Sequence, residues 1–551
     1  MKKILFLMVC LCASVILHAA VSKNVNITAG GLAKALTTTE RTSITDLTIT
    51  GTIDARDIKF MRNEITNLST LNISEVGIQA YAGTEGTDSL YVSYPANEMP
   101  KNSFRFTNYS GKTTLKSILL PNTITSIGAG AFDCCSSLNS VTIPNTVSSI
   151  GNYAFFSCSA LKNITIPNAV TSIGSYAFCG CTGLTNMSIP NTVTKIENWS
   201  FTNCTGLTSM SIPNAVTSIG SYAFYGCTGL TSITLPGSIT SIGESAFEYC
   251  ATLTNVTIPK AVTFIENGTF SNCSGLINIT IPNSITSIGD WGFSGCTKLT
   301  SVTIPNSVTS IGSGAFYGCT GMTNITFPNS VTSIGESIFC NCTGITNMII
   351  PNSITTIRNS TFSNCSGLTT MAIPNTVTTI EDWTFYGCNR LTSVNIGDAT
   401  NIIGEYAFGD CSGLSSIYVN ATKPANLTSN VFSSVDTENC TLYVPENTES
   451  AYLAASVWKD FNILEKSPNT GIIGESKKSI TIYPNPVVDG FNINGLEDTG
   501  TLSLIDLSGK ILLSTQVNEN DYVSVSSLKR GIYMVEVVTA NGTFKKKILK
   551  N

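Results

Sequence analysis

Between residues 115 and 419 the apolar positions of the chain fall at fixed offsets that recur every 23 residues. One unit, Leu138 to Ala160, reads LNSVTIPNTVSSIGNYAFFSCSA, with apolar residues at Leu138, Val141, Ile143, Val147, Ile150, Ala154, Phe155 and Cys158. Proline returns in the same step at 121, 144, 167, 190, 213, 236, 259, 282, 305, 328, 351 and 374. Phenylalanine does so from Phe132 to Phe408 and cysteine from Cys135 to Cys411, thirteen positions each. A unit this short cannot bury its own apolar face, but stacked on an identical neighbour it closes a continuous core. The spacing therefore predicts a mainly β solenoid of about 13 coils. With adjacent strands about 4.8 Å apart, the stack would run on the order of 60 Å.

Within a coil, the alternating β-branched residues before each proline, as in Leu161 to Ile166, predict a strand that ends at a residue unable to donate to a ladder. The following pair, Pro144-Asn145 or Pro167-Asn168, predicts a tight turn with proline at its first central position and asparagine, left-handed, at its second. A second extended piece, VTSIG, precedes a short turn or helical segment carrying AF and the cysteine.

The pattern LxxIxIPxxVTSIGxxAFxGC, carried from roughly Leu115 to Tyr418, resembles the BspA-like class of bacterial leucine-rich-repeat surface antigens. That resemblance implies a β-solenoid displayed on a cell surface, in a family associated with adhesion and host-protein binding. It implies no particular ligand.

A stack has two open sheet ends that invite aggregation, so caps are expected. Residues 21–114 read as an N-terminal cap with degenerate repeats: Leu32 to Leu36 predicts a short helix, and ITDLTITG and LSTLNIS read as strands of the same ladder. Residues 420–465 read as the C-terminal cap, where CTLYVP repeats the strand-proline signature and a helix from about Thr448 to Phe461 would lay Tyr452, Leu453 and Trp458 over the last coil. Residues 466–478 lose the period and read as a flexible linker.

From 479 to 551, short alternating runs broken by turn signals predict a small antiparallel β-sandwich. This tail resembles the type A sorting domain of the type IX secretion system, through Tyr483-Pro484-Asn485-Pro486, Asp506-Leu507-Ser508-Gly509-Lys510, Gly531-Ile532-Tyr533 and a basic end that includes Lys547. The resemblance implies that type IX secretion machinery carries the chain across the outer membrane of a Gram-negative bacterium. It also implies that the tail is then removed, leaving the passenger secreted or attached to the cell surface. At the other end, residues 1–20 run from Lys2 and Lys3 through an apolar stretch to Ala19-Ala20, the layout of a secretory signal peptide. No later segment supplies 18 consecutive apolar residues, so no transmembrane helix is expected after signal removal.

Charged residues make up only 12% of the chain and the net charge is −5, which gives no indication of a nucleic-acid partner. The single histidine, His18, lies in the signal peptide. Histidine-based acid–base catalysis, the usual zinc sites and the serine or cysteine triads therefore drop out together. The densest acidic spot, Glu381-Asp382, reads as solvent-facing turn residues. The expectation is a binding protein without a cofactor, not an enzyme. The cysteine column reads as small buried hydrophobes, with off-register Cys134, Cys179, Cys340 and Cys440 as the more exposed or paired thiols.

Specificity is expected where occupants vary on a fixed frame. Two residues before each core phenylalanine stand Tyr153, Tyr176, Trp199, Tyr222, Ser245, Gly268, Trp291, Gly314, Ser337, Ser360, Trp383 and Tyr406. Tryptophan and tyrosine bury much area with little entropy loss, so the seven aromatic members form a candidate ligand-binding edge. The strand face, with Thr185, Asn186, Ser188, Thr208, Ser209 and Ser211, offers hydroxyl and amide rows as a second candidate surface. The reading is an exported surface adhesin or protein-interaction scaffold for host or neighbouring-cell surface or matrix proteins or glycans. The alternative is a carbohydrate-binding or structural surface-layer protein.

Overall fold

The computed structural model describes residues 20–88, 90–466, 481–483, 487–494, 496, 499–506, 510–518, 521–539 and 542–550. Residues 1–19 of the expected signal peptide and nearly all of the expected linker at 466–478 lie outside them. The chain divides into two compact units, Met1–Ser467 and Pro468–Asn551. Among the described residues no helix is long and apolar enough to cross a membrane.

The first unit opens with three parallel strands, β1 (Ser22–Ile27), β2 (Asp46–Ile53) and β3 (Thr70–Ile78), whose sheet continues into Ser117–Leu119 and Ser140–Thr142 of the repeats. Leu47, Ile49 and Ile53 of β2 alternate into the core, as the period of a strand requires. The helix Leu32–Ala35 follows β1, and a longer helix, Ala55–Asn63, follows β2. The latter starts at Asp54 with a capping box: the Asp54 side chain accepts from a first-turn amide, and Asp57 accepts the Asp54 N–H. Two buried cations fasten the segment after β3 to this helix. Arg62 donates to the carbonyls of Thr87, Asn102 and Arg105. The Lys112 ammonium donates to the carbonyls of Arg62 and Ile65 at 3.1 and 2.8 Å, and burial pushes its pKa down to about 8.

Each repeat then makes one coil, with two short strands except around Met348–Ile350, where Ile349 makes only an isolated bridge to Ala372. In one coil Asn163–Thr165 pairs in parallel with Asn186–Ser188, residue for residue at a 23-residue offset. The second extended piece is the two-residue strand Ser172–Ile173, paired with Ser149–Ile150. The sheets are interrupted between some coils, but the register is kept throughout. The turn after each proline differs from the expectation. The Val147 N–H closes onto the Pro144 carbonyl at 3.1 Å and Val170 onto Pro167 at 3.0 Å, so proline is the first residue of the turn and Asn-Thr or Asn-Ala occupy its centre. No asparagine following a repeat proline has positive φ; the left-handed positions lie around the phenylalanine instead.

The core is a ladder of stacked phenylalanines with centroids 5.1–5.8 Å apart and planes within 1–18°. It extends the thirteen periodic rings by Phe104 at one end and Phe432 at the other, fifteen in all. Beside it run the cysteines, each buried and unpaired. The Cys158 thiol donates to the Phe132 carbonyl at 3.1 Å, and the contact repeats to Cys411 on Phe385 at 3.1 Å. Of the off-register thiols only Cys134 is half-exposed; Cys179, Cys340 and Cys440 are buried.

At the far end Thr441–Val444 and Asn462–Glu465 continue the strand ladder. The segment between them is a broken helix: Glu449–Leu453 is α-helical, Val457 sits at φ 69°, and Trp458–Asp460 is a 3₁₀ turn. Tyr452 and Trp458 are buried and donate to the Ala421 and Ala425 carbonyls, both at 2.8 Å, whereas Leu453 is exposed.

The second unit contains two antiparallel sheets, one of three strands and one of four. Ile482, Phe491 and Ile493 from one share a buried core with Leu502, Leu504, Val535 and Val537 from the other.

Candidate functional site

Two residues in every coil, flanking the core phenylalanine, adopt the left-handed conformation. The cause is a third hydrogen-bonded ladder that has no strand geometry. Tyr153, Phe155 and Ser157 donate their N–H groups to the carbonyls of Ser175, Ala177 and Cys179 in the next coil at 3.0, 2.8 and 2.7 Å. The alternating amides of Ala154, Phe156 and Cys158 turn back within their own coil. Sending alternate amides to a neighbour while closing tight turns requires positive φ at two positions per coil.

The downstream position is filled as stereochemistry favours. From Cys134 to Asp410 it holds glycine at 180, 226, 295, 318 and 387 and asparagine at 203, 272, 341 and 364, residues that reach this region at least cost. The upstream position is the variable aromatic column, and all twelve of its residues lie at φ 51–62°. Seven of them are Tyr153, Tyr176, Trp199, Tyr222, Trp291, Trp383 and Tyr406. A bulky side chain there costs about 1–2 kcal/mol relative to an ordinary backbone conformation. The protein thus places its largest side chains where its own backbone favours its smallest.

Part of that strain is offset by stacking. Tyr153, Tyr176, Trp199 and Tyr222 form a continuous ring ladder with centroids 4.6, 5.5 and 4.0 Å apart and planes within 6–9°. Trp383 stacks on Tyr406 at 4.4 Å. Each such pair contributes about 0.5–1.5 kcal/mol beyond burial. Trp291 has glycine on both sides in the column and makes an edge contact with Tyr317 at 5.5 Å. Tyr153, Trp291 and Trp383 are 40, 45 and 38% exposed, whereas Tyr176, Trp199, Tyr222 and Tyr406 are half-buried.

A second aromatic set joins this edge and escapes sequence reading because its members are scattered over two columns. Phe156, Tyr225, Tyr317 and Tyr386 follow the core phenylalanine, Tyr249 takes the other left-handed position, and all five contact column rings or one another. Next to the edge lies a shallow polar trough of about 470 Å³, whose lining includes Ser287, Asp290, Ser310, Ser313, Ser333 and Glu336. Of its carboxylates Asp290 accepts the Ser313 N–H, and beyond the trough Asp382 accepts the Glu405 N–H, both at 2.7 Å. Glu381 is paired with Arg358 and accepts the Asn359 N–H. Among the described residues no three histidine, cysteine or acidic side chains gather as metal ligands.

The strand-face rows are exposed, and in the column of Thr185 several hydroxyls are engaged: Thr185 donates to the Lys162 carbonyl, Thr231 to the Thr208 carbonyl and Thr254 to the Thr231 carbonyl. In the tail, Asp506 accepts the Lys510 N–H at 3.0 Å, and the Tyr533 hydroxyl donates to the Lys529 carbonyl at 2.8 Å. Gly531 opens the strand Gly531–Thr539, and Lys547 lies opposite Met534 in the neighbouring strand. Tyr483 is in a strand, whereas Pro484, Asn485, Pro486 and Gly509 lie outside the described residues.

Comparison with known proteins agrees with this architecture. A BspA-type leucine-rich-repeat region matches residues 102–230, 194–322 and 310–441, and a secretion-system C-terminal sorting domain matches residues 481–551. The chain is similar to a leucine-rich repeat protein from Bacteroides ovatus, with 26% identity, a TM-score of 0.56 and coverage of 68% of this chain and 95% of that one. A leucine-rich cell surface protein from Faecalibacterium prausnitzii shares 30% identity over 57% of this chain and 92% of its own, with a TM-score of 0.42. Beta-agarase D of Zobellia galactanivorans is 31% identical over 109 residues, which is 20% of this chain and 22% of that enzyme. The chain belongs to the BspA-type leucine-rich-repeat family and is a secreted, cell-surface member of it, directed by a C-terminal sorting domain.

Proposed function

We propose that the protein works at the cell surface as an adhesin or interaction scaffold, engaging surface or matrix proteins or glycans of a host or neighbouring cell through the aromatic edge. It acts by binding and not by catalysis. The observation that carries this reading is the seven aromatic side chains held at φ 54–61° in a column where glycine or asparagine would satisfy the backbone. Strain kept at a variable surface position is a mark of function. The strand-face alternative is weaker, because Thr185, Thr231 and Thr254 there already donate their hydroxyls to the neighbouring coil.

The test replaces Trp199, Trp291 and Trp383 together by alanine in the full chain and measures binding to intact cells and to immobilised matrix proteins. Binding is expected to fall while the circular dichroism spectrum stays that of the parent. Unchanged binding would remove the edge from the function.

A further inference from the structure

Not all rings of the edge offer the same surface. A side chain at any column position leans onto the next coil, as Trp291 does: a Cβ added at Gly314 would sit 2.5 Å from its Cε3 and Cζ3 atoms. Each ring therefore has one face covered by the following coil, and its other face is covered only if the preceding position carries a ring. Tyr176 and Trp199 lie between two rings, and Tyr222 has its preceding face covered by Trp199. Tyr153, Trp291 and Trp383 follow Gly130, Gly268 and Ser360, and these three are the most exposed of the column. Between Tyr222 and Trp291 two ring positions are vacant, Ser245 and Gly268; between Trp291 and Trp383 three are, Gly314, Ser337 and Ser360. At about 4.8 Å per coil, Trp291 and Trp383 present parallel open faces about 19 Å apart on one line.

We infer that these open faces bind a neutral polysaccharide, its sugar rings entering the vacant positions against Trp291 and Trp383. This deepens the proposed binding role and rests on it. A pyranose ring is flat, about as thick as a coil is tall, and carries an apolar C–H face that stacks on indole while its hydroxyls seek donors and acceptors at the rim. The trough that reaches Asp290, the residue before Trp291, supplies these from Ser287, Ser310, Ser333 and Glu336. Glu244, Glu266 and Glu405 add exposed negative charge to the same edge, which disfavours sulfated or uronate polymers. A basic peptide would pair with Glu244, Glu266 and Glu405, but it would not fill the vacant column positions against the open ring faces of Trp291 and Trp383, which makes a sugar ring the better-suited occupant.

The test is native electrophoresis of the full chain through gels containing β-1,3-glucan, β-1,4-glucan or α-mannan, with dextran sulfate and polylysine as comparison ligands. At least one neutral polymer is expected to retard the chain, and Trp291→Ala and Trp383→Ala each to weaken that retardation about tenfold. Tyr91→Ala, an exposed ring ahead of the repeats and outside the column, should change it by less than about twofold. Gly268→Tyr, which fills the slot facing Trp291 at a φ that tyrosine already adopts elsewhere in the column, should weaken it as Trp291→Ala does, with thermal unfolding confirming a folded chain. No retardation by any neutral polymer, an equal loss with Tyr91→Ala, or binding of polylysine alone would overturn the inference. If cell binding falls in the triple variant but no neutral polymer retards the chain, the adhesin reading stands and the polysaccharide does not. If retardation needs Trp291 and cell binding does not, the reverse holds.

Discussion

Trp291 and Trp199 occupy equivalent positions at φ 57° and 61°, yet their surroundings differ. Trp199 stacks between Tyr176 and Tyr222, so the strain of about 1–2 kcal/mol is roughly offset by two ring pairs. Trp291 lies between two glycines. Trp291→Gly is therefore expected to raise the melting midpoint of the repeat unit, and Trp199→Gly, which removes strain and stacking together, to leave it about where it was. Thermal melts of the two variants side by side check this, and equal destabilisation would contradict it. The sequence shows that this column varies and is rich in aromatics, because its 23-residue step is unbroken. It does not show the left-handed backbone, since tyrosine and tryptophan carry no preference for it; the neighbouring Gly and Asn column does, and is the signal that could have revealed the turn. The turn at Pro144 was misplaced by one residue for a related reason: proline suits more than one turn position, and only the Val147 to Pro144 hydrogen bond fixes which is used.

At the scale of the coil, register is legible wherever the period holds and hidden where it slips. Phe132 to Phe408 follow the 23-residue step, but Phe104 precedes Phe132 by 28 residues and Phe432 follows Phe408 by 24, so the two rings that end the ladder are invisible to a fixed period. The same slip explains Cys440, which sits in the closing strand region and is fully buried. The cysteine column is a strip of protonated thiols on phenylalanine carbonyls. Burial pushes the thiols of Cys135, Cys227, Cys273, Cys319 and Cys388 up to about 12, well above the ordinary value of 9.0. The unfolded chain begins to release these protons near pH 9 while the folded chain keeps them until about 12, so their stabilisation is complete below pH 9 and is lost as pH rises above it. Each buried thiol loses about 1.4 kcal/mol per pH unit in that window, and the coils add. Lys112, depressed to about 8, works in the opposite direction but is one group. Melting under reducing conditions should fall steeply from pH 9 to 11, and replacing three consecutive column cysteines by alanine should flatten that slope. A pH-independent midpoint would contradict the account.

For the whole molecule, scaffold and address are separate. The invariant proline, phenylalanine and cysteine columns build the stack, the variable column carries the proposed contacts, and the sorting domain at 481–551 carries the delivery. A sequence of repeats announces its architecture plainly because every coil states it again, whereas a binding partner is never restated. The most direct measurement of a surface-delivered binding scaffold is fractionation of the native cell with mass mapping of both ends of the chain. The account predicts a chain recovered from the cell surface or medium, beginning after Ala20 and lacking the 479–551 tail; a cytoplasmic chain that retains that tail would contradict it.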